Sequence, residues 1–430
     1  MFFDKEQQYE IISNSAIFPK VLFMLIVSIL FFPIASFSQE AVANNEEADD
    51  LLSPDDIKRF SHNLGIEFRP AYVIPSTLFL KGLNNKEKPI RASLSGHLKY
   101  SFGFPADTIA HQVYSNTYQG VGVSYFDFGN RAELGNPVAV YLFQRSRIAK
   151  LGRRASLNYE WNFGLSGGWK PYDYERNPYN VVIGSKLNAY INVGMFVNWD
   201  ITDKIGLATG VDLSHFSNGN TDFPNAGLNT AGLKVGLLYD FRKQKTTTTS
   251  PKRDTVIPRF QRHISYDFVA FGSWRRKGVE FSGQQYASPY EYPVIGAYFA
   301  PMYNFGYRFR AGLSLDAVYD GSANVYTKDF ISGTDQDFFK PGIDHQMALG
   351  ISGRAEYIMP IFTISMGGGV NFLHKGGDLR GTYQTLALKV RTTRNSFIHI
   401  GYNLKDFHEP NYLMLGLGYR FNNRTRALFY

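Results

Sequence analysis

Leu187–Ile201 reads LNAYINVGMFVNWDI, and its alternation decides the fold. Leu187, Ala189, Ile191, Val193, Met195, Val197 and Trp199 make one wholly apolar face. Asn188, Tyr190, Asn192, Gly194, Phe196, Asn198 and Asp200 make the other. Side chains on a strand alternate between faces, so this is a strand with one apolar and one mainly polar side. Strands of soluble sandwiches are usually shorter. Length and pattern together suit a strand that crosses a bilayer, with lipid on one side and a polar barrel interior on the other.

The pattern repeats outward from this segment. In Ala231–Phe241 the residues Leu233, Val235, Leu237, Tyr239 and Phe241 share a face, as do Leu413, Leu415, Leu417, Tyr419 and Phe421 in Tyr412–Phe421. The spacing predicts about eight such strands between Asn63 and Arg242, and about eight more between His263 and Phe421. Between the halves lies KQKTTTTSPKRDTVIPRFQR, residues 243–262, a linker by composition. Other inferred periplasmic turns are short: Thr202-Asp203, Gly152–Arg154 and Thr393–Asn395. The long linker favours an all-β chain of two tandem eight-stranded antiparallel transmembrane barrels, residues 63–242 and 263–430, over a single sixteen-stranded barrel. Phe104–Tyr118 is also long for a periplasmic turn. The closing strands of the two halves run in parallel, Ile205–Asn218 then Ala231–Phe241 against Phe397–Asn411 then Tyr412–Phe421, which reads as a degenerate duplication.

Composition agrees. The 430 residues include 36 Phe, 28 Tyr, 40 Gly and no Cys, with 19% charged. Aromatic girdles and glycine suit barrels, and a mean hydropathy of -0.23 excludes a helical membrane protein. The run Val21–Ala35 (VLFMLIVSILFFPIA) follows Lys20 and ends in small residues. It is shorter than the roughly 20 residues of a spanning helix and reads as a signal peptide, residues 1–38, cleaved near Ser38. An acidic periplasmic lead-in follows, residues 39–62. The expected location is the Gram-negative outer membrane. Exposed Lys and Arg are ordinary on barrel rims, so the net charge of +8 is a weak signal, at most for anionic lipid head groups. No nucleic-acid partner is expected.

The chemistry is carried by Val211–Leu228, VDLSHFSNGNTDFPNAGL. The strand entering it from Ile205 puts Leu207, Thr209, Val211 and Leu213 outward, and the same alternation puts His215 and Ser217 on that face. Residues two apart on one face are about 7 Å apart along the strand, within side-chain reach. An imidazole beside a hydroxyl is the minimal pair for nucleophilic ester cleavage. The tight turn before the strand places the pair near its external end, at outer-leaflet depth. Rim residues bonded to their own loop are the bland reading of the same pair; polar groups on a lipid-facing surface are functional candidates.

His215-Phe216-Ser217-Asn218-Gly219 followed by Pro224-Asn225 resembles the signature of the lipid A 3-O-deacylase family (PagL, also labelled acyloxyacyl hydrolase), over roughly Asn63–Arg242. The resemblance implies an eight-stranded outer-membrane enzyme that removes an ester-linked acyl chain from lipid A. It implies Ser217 as nucleophile, His215 as general base, and Asn218 and Asn225 as oxyanion candidates, with lipopolysaccharide and membrane lipids as partners. The family's glutamate falls at Asn229, which orients an imidazole without stabilising its charged form. Asp222 and Asp240 are the nearby acids for that role. No metal-ligand spacing is present, and the chemistry needs no cofactor.

Gly164-Leu165-Ser166-Gly167-Gly168 matches the hydrolase elbow by letter but continues a strand, where that motif needs a strand-to-helix turn. In the second half Ile398, Ile400, Tyr402 and Leu404 are followed on their face by Asp406 and His408, with no hydroxyl nucleophile. That half is expected to be a scaffold, a lipid-binding surface or a partner-binding module. A lipid A ester hydrolase is thus weighed against a non-enzymatic barrel, pore or surface binder, and against a phospholipase. A homodimer is left open.

Overall fold

The computed structural model describes residues 60–105, 109–114, 117–241, 259–281, 284–328, 337–407 and 409–424. The expected signal peptide, and most of the expected lead-in and linker, lie outside the described residues. Among the described residues no helix is long and apolar enough to cross a membrane, and a β-barrel crosses with strands instead.

Eight antiparallel strands close the first barrel: β1 (Ser61–Val73), β2 (Ala92–Gly103), β3 (Thr117–Asp127), β4 (Gly135–Lys150), β5 (Ala155–Trp169), β6 (Leu187–Asp200), β7 (Ile205–Ser217) and β8 (Leu228–Asp240). β8 pairs back onto β1, with Leu64 opposite Tyr239, so neither keeps an open edge. One short helix, α1 (Leu78–Lys81), lies in the β1–β2 connection, and a second, α2 (Ile109–Val113), in the β2–β3 connection. α2 accounts for the length of that inferred periplasmic segment. β1 begins at Ser61, two residues before the expected Asn63.

Alternation is carried through into burial. On β1, Ile66 and Phe68 are exposed while Glu67 and Arg69, which alternate with them, are buried. An eight-stranded barrel is just wide enough for side chains to fill it, and three acids with three bases fill the middle of this one. Arg69 pairs with Glu160 at 3.1 Å and Asp212 at 3.0 Å. Lys99 reaches Glu67 at 3.0 Å, and Lys234 reaches Glu160 at 2.9 Å. Towards the long-loop end, Phe126, Phe128, Tyr141, Trp169, Tyr190 and Phe216 stack in one cluster, with Phe126 and Phe216 centroids 5.0 Å apart. Two asparagines from the 170–186 loop, Asn177 and Asn180, both donate to the Glu133 carbonyl there, at 2.9 and 3.0 Å.

The opposite end has tight turns. Between β6 and β7 the Thr202 hydroxyl accepts from the Lys204 and Ile205 N–H groups, and Ile201 N–H donates to the Ile205 carbonyl at 2.9 Å. β5 runs unbroken through Gly164–Gly168, so the hydrolase-elbow letters lie in a strand.

The second barrel closes in the order β12-β13-β14-β15-β16-β17-β18-β9. Its strands are β9 (His263–Arg275), β12 (Tyr292–Asn304), β13 (Phe309–Asp320), β14 (Met347–Ile358), β15 (Phe362–Leu373), β16 (Thr382–Arg391), β17 (Ser396–Lys405) and β18 (Glu409–Phe421). A hairpin of β10 (Gly278–Phe281) and β11 (Gln284–Ala287) stands in the β9–β12 connection. This barrel also has a charged interior: Lys389 pairs with Asp267 at 2.8 Å, and Arg310 with Glu356 at 2.5 Å. Two closed sheets replace the single sixteen-stranded alternative.

Candidate active site

Register places the candidate residues. β7 pairs with β6 so that Ile191 faces His215 and Ala189 faces Ser217, and with β8 so that Asn229 faces His215. Asp212, Ser214 and Phe216 are buried in the barrel, while Val211 is 57% exposed, so the odd-numbered residues of β7 look outward. His215 and Ser217 therefore share the outer face, and both are half-buried there.

The ring of His215 is held from two sides. Its Nδ1 lies 2.6 Å from Asn229 Oδ1. An amide oxygen only accepts, so Nδ1 donates and carries the ring proton, which leaves the Nε2 lone pair as the base. Gly227 closes the other side: with φ at +74°, a Cβ there would stand 2.9 Å from His215 Cε1. Its N–H donates to the Val182 carbonyl at 3.0 Å, which fixes that bare backbone against the ring. Opposite Ser217 on the same face stands the small Ala189.

Asn218 follows Ser217 directly and is buried. Within the 218–225 loop its backbone N–H donates to Asn225 Oδ1 at 3.3 Å, and its side-chain amide donates to the Asp222 carbonyl at 3.1 Å. The two oxyanion candidates are thus bonded to each other. The carboxylate alternatives fare differently. Asp240 ends β8 at the tight-turn end, roughly 35 Å along the strand from Asn229, too far to serve His215. The Nδ1 position is taken by Asn229 itself, so Asp222 does not occupy it.

Below the pair, on the same outer face, lies a groove of about 740 Å³, within the roughly 300–1,000 Å³ of ligand sites. Ala71, Gly194, Ala231 and Gly232 are its small residues, and Tyr72, Leu94, Met195, Val211 and Leu233 its bulky ones. Ala231 faces Leu213 across the ladder and lies two residues from Asn229, so the groove opens directly under the His215–Asn229 pair. Neither Gly227 nor the groove was singled out from the sequence. The available signal was small residues interrupting runs of outward Leu, Val and Tyr.

In the second barrel the face of Ile398, Ile400, Tyr402 and Leu404 ends with β17 at Lys405. Asp406 turns back there and accepts from the Thr382 N–H at 3.0 Å. His408 lies outside the described residues.

Comparison with known proteins bears on both halves. The model described as "Lipid A 3-O-deacylase (PagL)" matches residues 94–237, and "Acyloxyacyl hydrolase, C-terminal domain" matches 264–423. No curated protein matches the sequence. Among solved structures, Neisserial surface protein A (NspA) aligns at 8% identity over 42% of this chain and 97% of its own, with a TM-score of 0.29. The outer membrane enzyme PagL aligns at 14% identity over 40% of this chain and 97% of its own, with a TM-score of 0.25. Scores this low leave the strand register as the ground for the fold. The two sequence matches span most of both barrels: residues 94–237 match the lipid A 3-O-deacylase (PagL) family and residues 264–423 the C-terminal domain of acyloxyacyl hydrolase.

Proposed function

We propose that this protein is an outer-membrane serine esterase that removes a fatty acyl chain from lipid A in the outer leaflet. The observation that carries the reading is the His215 Nδ1–Asn229 Oδ1 contact of 2.6 Å on the outer face, beside Ser217. In the first step Ser217 Oγ bonds to the ester carbonyl carbon as its proton passes to His215 Nε2. The oxyanion that forms needs fixed donors, and Asn218 and Asn225 are the candidates. Collapse breaks the ester bond, and the departing sugar hydroxyl takes the proton from His215. Water, deprotonated by the same nitrogen, then releases the fatty acid and restores Ser217. The groove below the pair suits the acyl chain. It is almost wholly apolar and leads away from the hydroxyl towards the barrel's middle.

The rival reading as a pore is opposed by the lumen, which is filled by the ion pairs and the aromatic cluster. The test is mass spectrometry of lipid A from cells expressing the wild type or Ser217→Ala. The wild type is expected to remove one acyl chain, and Ser217→Ala to remove none. Unchanged lipid A with a folded wild-type barrel in the outer membrane rejects the proposal. Release of fatty acid from glycerophospholipid instead reassigns the substrate to a phospholipase's.

A further inference from the structure

Arg91 stands at the mouth of the same groove, and the ester chemistry leaves it unused. It is exposed and belongs to the groove's lining, together with Pro70, Tyr72 and Leu94. Its backbone is fixed. The Arg91 carbonyl accepts from the Val73 N–H at 2.9 Å, and the preceding Ile90, buried, donates its N–H to the Leu80 carbonyl at 3.0 Å. Among the described residues no carboxylate pairs with its guanidinium, whereas the charged side chains inside the barrel are paired.

A cation without a counter-charge at the rim of an apolar, lipid-facing groove is complementary to a lipid whose tail enters the groove and whose headgroup is anionic. Register sets the spacing. Tyr72 faces Ala92 on one side and Ala231 on the other, and Ala231 faces Leu213. Arg91 is therefore three strands from β7, about 14 Å across the sheet. It is level with Ser214, three residues or about 10 Å along the strand from Ser217, so a headgroup with its ester at Ser217 has to reach roughly 17 Å to place a phosphate at Arg91. Guanidinium is the cation best matched to phosphate, because its planar donors bind two oxygens at once.

We propose that Arg91 is a specificity-determining residue that binds a phosphate on the headgroup of the acylated lipid, so that phosphorylated substrates are preferred over neutral ones. The assignment rests on the hydrolase reading for its consequence in turnover, but its binding arm stands alone.

The test uses the purified full chain in detergent micelles, with phosphorylated lipid A and the same lipid A after enzymatic removal of its phosphates. In the Ser217→Ala background, binding of each lipid is measured with and without Arg91→Ala. The Arg91→Ala change is expected to weaken binding of the phosphorylated lipid about fivefold or more, the scale of one charged hydrogen-bonded contact. Binding of the dephosphorylated lipid is expected to stay the same, and Arg91→Lys to retain part of the affinity. With Ser217 present, the same loss is expected in KM, with kcat within about twofold.

Equal affinity of both proteins for the phosphorylated lipid overturns the proposal. So does an equal loss for both lipids, which marks a packing role. Competition by millimolar inorganic phosphate assigns the residue to the free ion and overturns the lipid assignment. Absence of hydrolysis by the wild type rejects the esterase instead, and the binding comparison still decides Arg91.

Discussion

At the scale of single residues, the unusual choice is Asn229. A carboxylate at that position would hold the imidazole in the same tautomer and also stabilise the imidazolium that forms as Ser217 attacks. Asparagine supplies the first effect through its 2.6 Å contact and lacks the second. Asn229→Asp keeps the accepting oxygen and adds the charge, so it is expected to raise kcat, by about tenfold for each 1.4 kcal/mol of imidazolium stabilisation. Asn229→Ala is expected to lower it, since Nδ1 then loses the Asn229 Oδ1 acceptor that fixes its tautomer. Single-turnover release of fatty acid by the two variants checks this. An Asp variant slower than wild type would mean that the site is tuned to a neutral partner. His215 and Ser217 were legible in the sequence, because period two alone puts residues two apart on one face. The His215–Asn229 pairing came from the family resemblance and not from periodicity, since it depends on the register of β7 against β8 across a connection of ten residues, 218–227.

At the scale of elements, the strands were legible and the surface they build was not. Alternation in Leu187–Ile201 anticipates β6 to within one residue, because every outward position must be apolar in lipid and the inward ones must fill a polar lumen. The groove draws on β1, β2, β6, β7 and β8, and β2 meets β6 on one face only once the barrel has closed. Among its small residues Ala231 is the one on the outward register, opposite Leu213, where a short side chain leaves room between Val211 and Leu233. Ala231→Phe puts a ring into it below His215 without touching the His215–Asn229 ladder. Long acyl esters are expected to be cleaved at least tenfold more slowly by this variant, the size of effect that misplacing a bound substrate by about an ångström produces. A four-carbon ester is expected to be cleaved at the wild-type rate. Chain-length profiles of the purified protein settle it, and an equal loss on short and long esters would show that the ring disturbs the catalytic groups.

For the whole molecule, a tail-length groove outside requires a sealed barrel inside, because the strands that carry His215, Ser217 and Asn229 also carry Asp212, Lys234 and the rest of the lumen network. Six charges held away from water are stable only as a neutral set, and removing one partner leaves a buried charge that costs about 3–5 kcal/mol. Glu160 is the hub: it pairs with Arg69 at 3.1 Å, Lys99 at 2.5 Å and Lys234 at 2.9 Å. Glu160→Met leaves three cations against Glu67 and Asp212. It is expected to lower the unfolding free energy of the barrel in lipid vesicles by an amount in that range. Adding Lys234→Met restores neutrality, and the double variant is expected to recover most of the loss, since apolar replacement of a whole buried pair is often neutral. Urea titration of the single and double variants measures both steps. Full stability of Glu160→Met alone would mean that water enters the lumen and screens the network, and the same protein would then be expected to pass ions in a planar bilayer where the wild type passes none.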